Sequence, residues 1–102
     1  MGYCFVGHPR VIEHPAGGEI PLGENITLTC RANGTGPLIY TWERSSGSNW
    51  TIVSNDNTTS YTTDTTLAIG QYMYRCRVSN EAGSNVSNNA TLNVHGKYCP
   101  KS

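Results

Sequence analysis

Four cysteines, three histidines and seven carboxylates are the side chains of this 102-residue chain whose types suit them to chemistry. His8 and His14 are close in sequence, but no third ligand of suitable spacing accompanies them, and His95 belongs near the opposite end of the fold. Zinc favours four converging nitrogen or sulfur ligands, so no metal is expected. The carboxylates Glu13, Glu19, Glu24, Glu43, Asp56, Asp64 and Glu81 show no paired arrangement, and no serine, histidine and acid surround a nucleophile elbow. The expectation is a non-enzyme without a cofactor.

A different chemistry is written in the asparagines. Asn25, Asn33, Asn49, Asn57, Asn85 and Asn89 each open an Asn-x-Ser/Thr sequon. Chance at this Asn, Ser and Thr content gives about two such triplets, so glycan acceptors are enriched. All six fall in turns or at outward strand positions, which predicts a secreted glycoprotein.

The elements that position these residues follow from composition and period. Seven Lys plus Arg balance seven Asp plus Glu, leaving no basic stripe to track a phosphate backbone, and nucleic acid is excluded as a partner. No apolar run approaches the roughly 20 residues of a membrane helix. "MGYCFVGHPR" lacks the charged start and apolar centre of a signal peptide, so Met1-Gly2 reads as a cut within a longer open reading frame. Asn, Thr, Ser and Gly are abundant, while Lys, Glu and Ala are scarce, which favours strands joined by polar turns over helices.

Alternation of period two dominates. "NITLTC" sets Ile26, Leu28 and Cys30 on one face, "LIYTWER" sets Leu38, Tyr40 and Trp42, and "NATLNV" sets Ala90, Leu92 and Val94. "YMYRCRVS" turns Tyr72, Tyr74, Cys76 and Val78 inward. These are half-buried strands with one wet face. "RVIEH", "EIPL", "WTIV" and "YTTDTTLAI" supply the other strands, and "PAGG", "ANGTGP", "SSGSN", "SNDN" and "NEAGSN" supply the turns. Short strands punctuated at this spacing predict an all-β antiparallel sandwich or barrel in a single domain.

Cys30, Trp42 twelve residues later, and Cys76 two residues after Tyr74 resemble the constellation of an immunoglobulin domain. Within that family, "RVIEHPAGGEIPLGENITLTC" and "YRCRVSNEAGSNVSNNATLNV" are similar to the intermediate set of adhesion molecules and receptor ectodomains. The resemblance covers a domain over 9–95, with a leader at 1–8 and a tail at 96–102, and implies a two-sheet antiparallel sandwich with Greek-key connections and a Cys30–Cys76 disulfide between the sheets. It also implies Trp42 packed on that bridge in a core with Leu28 and Leu92, and a tyrosine corner at Tyr74. Such a bridge closes about 46 residues and is worth roughly 4 kcal/mol on the chain-entropy model. The family's D-x-G-x-Y-x-C is not kept, since Gly70 and Tyr72 stand where Asp and Gly belong. The turn before Tyr72 is therefore expected to be built differently, with Tyr72 covering one end of the core.

In this architecture ligands commonly meet the loop end, here the turns "ANGTGP" and "NEAGS", partly capped by Asn33. Thr35, Asn80 and Glu81 are the candidate contacts for a protein or glycan partner, a second copy included. Trp50 is expected to share the core with Ile52; left on the surface, it would be the best single anchor for a partner. Cys4 and Cys99 flank the domain. The family's termini lie about 30 to 35 Å apart, and each five-residue arm reaches at most about 17 Å. Closing on each other, pairing with a neighbouring chain or domain, and remaining as thiols all stay open. Two roles follow: an extracellular recognition module, or a spacer linked head to tail through its terminal cysteines.

Overall fold

The computed structural model describes residues 7–96; Cys4 and Cys99 lie outside them. The strands are β1 (Arg10–Glu13), β2 (Gly18–Pro21), β3 (Thr27–Thr29), β4 (Arg31–Asn33) and β5 (Ile39–Ser45). They continue with β6 (Trp50–Ser54), β7 (Ser60–Thr62), β8 (Gly70–Asn80), β9 (Gly83–Val86) and β10 (Ala90–His95). One layer is a six-stranded sheet in the order β2-β10-β8-β5-β6, with β9 also on β8; the other consists of the pairs β1-β4 and β3-β7. All pairings are antiparallel except β2 on β10. The chain is an immunoglobulin-like β-sandwich, as the alternation and the Cys-Trp-Cys spacing led one to expect.

The chain changes layers between β1 and β2, through "HPAGG". Gly17 makes that crossing possible: a β-carbon there would lie 1.8 Å from the carbonyl oxygen of Thr91, so the backbone reaches β10 only without a side chain.

Between the layers Trp42, Tyr74, Leu28, Leu92, Val78, Cys30 and Cys76 are fully buried. Trp42 faces Cys76 across the β5–β8 ladder. Its ring stacks on Tyr61 at 6.0 Å, and Tyr61 in turn meets Tyr74 at 5.8 Å, forming an aromatic row through the middle of the core. The indole N–H donates to the carbonyl of Thr58 at 3.0 Å, so the row buries no unpaired indole donor.

Four sequence expectations change. The strand drawn through 61–69 ends at Thr62, because the buried Thr63 turns its hydroxyl to accept from the N–H of Ile26 and the polar run that follows bends away, leaving Ile69 60% exposed. The strand at "NITLTC" breaks at Cys30, whose N–H donates to the carbonyl of Thr59; β3 and β4 thereby serve different partners. The "NEAGSN" turn is a two-residue hairpin at Glu81-Ala82, with pairing resumed at Gly83. Last, the tyrosine corner at Tyr74 is not formed: its buried hydroxyl has no hydrogen-bond partner. Tyr72 does that work instead, donating to the carbonyl of Ala68 at 2.8 Å beneath the guanidinium of Arg44.

Candidate recognition site

The loop end is organised around one side chain. The Asn80 amide donates to the carbonyls of Gly7 at 2.8 Å and Thr35 at 3.0 Å, and its oxygen accepts from the N–H groups of Ala82 and Gly83. Two donors and two lone pairs are then spent. Asn80, expected to touch a partner, is instead a clamp that ties the turn after β8 to the segment before β5, and it has no hydrogen-bonding capacity left for a ligand. Thr35 is part of the same fixture, its hydroxyl accepting from the N–H of Gly7 at 2.9 Å.

Beside the clamp two shallow hollows adjoin. One, of about 140 Å³, is lined by Thr35, Gly36, Pro37 and Glu81. The other, of about 320 Å³, is lined by Pro37, Ile39, Ser79, Asn80 and Glu81. Glu81 is exposed and makes no ion pair among the described residues, and Ile39 is 50% exposed. Thr35 and Glu81 were legible from the sequence, whereas Pro37, Ile39 and Ser79 were not. The signal for Ile39 was a branched apolar residue at an outward position beside a Gly-Pro turn.

Trp50 is not in the core. It pairs with Ser45 at the edge of the large sheet and lies half-buried on the outer face, with the Arg75 guanidinium 4.0 Å from its ring centre. Arg75 also donates to Glu43 at 2.7 Å, and Arg77 reaches the other carboxylate oxygen at 3.5 Å. The outward partners on this face are charged, with Glu43 between Arg75 and Arg77, and the Arg75 guanidinium over the indole gives the ring a partner on the outer face rather than under the sheet.

Cys30 and Cys76 are both fully buried in the core as free thiols. The neighbouring Cys76 lowers the Cys30 thiol, while Cys30 together with burial pushes the Cys76 thiol up. All six sequon asparagines are exposed, but two of them also serve the fold. The Asn57 side-chain oxygen accepts from the N–H of Tyr40 at 2.8 Å from a left-handed backbone with φ 61°, capping the part of β5 that β6 does not reach. The Asn85 oxygen accepts from the N–H of Val11 at 3.0 Å, and its sequon partner Ser87 is buried under Cys76. No group of three or more His, Cys, Asp or Glu suited to a metal occurs among the described residues.

The sequence model of the immunoglobulin domain matches residues 9–94. Comparison with curated proteins gives no match. Among solved structures, the tandem Ig repeats of Dlar superpose at TM-score 0.73 with 21% identity, covering 89% of this chain and 48% of that one. The titin I67–I69 fragment, in an E-to-A mutated variant, superposes at 0.62 with 29% identity, covering 86% and 32%. Sidekick-1 immunoglobulin domains 1–5 superpose at 0.68 with 17% identity, covering 91% and 21%. This chain thus spans less than half the length of each.

Proposed function

The chain belongs to the immunoglobulin domain family, and from that premise we propose that it is an extracellular, non-catalytic recognition module of an adhesion or receptor protein, binding through its loop end. The observation that carries this role is the hollow walled by Pro37, Ile39 and Ser79, with Glu81 at its rim and the Asn80 clamp behind it. A preformed apolar wall next to one unpaired carboxylate fits a side chain with an aliphatic stem and a cationic tip, so lysine- or arginine-bearing proteins are the favoured partners over glycans. In an oxidising compartment Cys30 and Cys76 close into a disulfide, and sugars on Asn25, Asn85 and Asn89 fall on the strand faces, with only Asn33 beside this end. Binding of the chain to an ectodomain library and a glycan array, repeated with Ile39→Asp and Glu81→Lys, tests the role. At least a tenfold loss with both variants is expected; partners indifferent to both would sink it.

A spacer role is favoured by the direction of the chain. Gly7 sits at the Asn80 end of β8, and Val94 pairs with Gly70 at its other end, about 35 Å away along an 11-residue strand. Entry and exit at opposite ends suit a linear array, and covalent linkage through Cys4 and Cys99 would reinforce it. Disulfide-linked multimers on non-reducing gels that vanish with Cys4→Ser and Cys99→Ser would support this role, and a clean monomer would remove it.

A further inference from the structure

Beside the Asn80 clamp a groove is filled by the chain's own Gly7-His8-Pro9. The contacts of this segment resemble those of a bound ligand more than those of a connecting loop. The carbonyl of Gly7 accepts from the Asn80 amide at 2.8 Å and from the N–H of Thr35 at 3.4 Å, and the N–H of Gly7 donates to the Thr35 hydroxyl at 2.9 Å. Both backbone groups of one residue are read, independent of its side chain. Two residues on, Pro9 is buried. The floor beneath it is Gly34, where a β-carbon would lie 3.1 Å from the Pro9 Cα and 3.0 Å from Leu38. His8 lies along Gly83, its imidazole 3.4 Å from where a β-carbon would stand. Gly34 in the loop before β5 and Gly83 at the start of β9 together leave the width that a three-residue backbone fills.

We propose that this groove is a binding site for an extended peptide of the pattern x-x-Pro from a partner chain, kept filled in cis by residues 7–9. Recognition is carried by main-chain hydrogen bonds to Asn80 and Thr35 together with the proline seat on Gly34, the logic by which a fixed framework takes an added strand. The leader competes at the high effective concentration of a tethered segment, so a free peptide binds only when the leader is displaced. The proposal does not depend on the apolar wall of the neighbouring hollow: the two share Thr35 and Asn80, but Pro37, Ile39, Ser79 and Glu81 line only the hollow.

The test uses the full chain carrying Pro9→Asp, which places a charge in the apolar seat, and Pro9→Gly as a milder second variant. In NMR spectra the Asn80 side-chain amide and the Thr35 backbone amide are expected to shift from their wild-type positions in both variants. Adding the pentapeptide Val-Gly-His-Pro-Arg at up to about 10 mM should return them, with at least a tenfold smaller response in wild type. The peptide with aspartate in place of proline should do nothing. Unshifted amides in both variants, no return on adding the peptide, or equal rescue by the aspartate peptide would each overturn the proposal.

Discussion

The Tyr72 hydroxyl donates to the carbonyl of Ala68 at 2.8 Å, closing the turn into β8, while two residues on the hydroxyl of Tyr74 is buried without a partner. Removing the two oxygens should therefore have opposite consequences. Tyr72→Phe forfeits a hydrogen bond at the surface and is expected to cost about 0.5 to 1 kcal/mol. Tyr74→Phe removes an unsatisfied buried polar atom and should be neutral or stabilising by up to about 1 kcal/mol. Urea denaturation of the two variants measures both, and a larger loss for Tyr74→Phe would contradict the geometry.

Burial, aided by Asp64 and opposed by Arg44, raises the Tyr61 phenol. Burial likewise raises Tyr74, with Arg44 opposing it but making no hydrogen bond of good geometry. The folded state thus holds both phenols neutral where the unfolded chain begins to ionise. Their contribution is complete below the ordinary tyrosine range and is lost as pH climbs above about 10. The melting temperature should fall on that alkaline limb, and the Tyr61→Phe, Tyr74→Phe double variant should flatten it.

Glu43 has a side chain only 11% exposed, set between Arg75 and Arg77. Glu43→Ala leaves the partly buried Arg75 guanidinium uncompensated and is expected to cost about 2 kcal/mol, less than a fully buried pair because Arg75 keeps some contact with water. Arg77→Ala, at 39% exposed and 3.5 Å, should cost under about 0.5 kcal/mol. Chemical denaturation of the two variants ranks them.

Asn57 separates a sugar acceptor from a structural cap. Asn57→Ala loses both the acceptor for the Tyr40 N–H and a residue suited to φ 61°, and should cost about 1 to 2 kcal/mol. Thr59→Ala destroys the same sequon through an exposed side chain and should change stability by less than about 0.5 kcal/mol. Thermal melts of unglycosylated protein make the comparison; equal losses would show that the Asn57 cap carries no stability.

The sandwich was legible because burial on a strand repeats every second residue. Leu28, Trp42, Tyr74, Cys76 and Leu92 could be placed inward from a few neighbours each, and all five are buried. The errors fall where a local rule met a distant partner. Trp50 looked inward by its own alternation, but β6 carries an extra residue against β5 between Ile52 and Ser54, and Arg75 from β8 offered its ring a flat cationic partner. Tyr72 displaced Tyr74 at the corner because Gly70, with φ 154°, shapes a turn the family's Asp and Gly would have shaped otherwise. Asn80 looked like an exposed turn residue until the backbone before β1 arrived beside it.

The sequence alone determined which faces are apolar, that strands and not helices carry them, and that a tryptophan and two cysteines meet at the centre, since each depends on spacing within a strand or on one recurrent set of three residues. Only the tertiary structure decided which polar groups hold the ends. Asn80 to Gly7, Asn85 to Val11 and Asn88 to His14 each join residues more than 70 positions apart. No periodicity links such pairs; they meet because the first strand is laid against the last hairpin, and their hydrogen bonds exist only once both layers have packed.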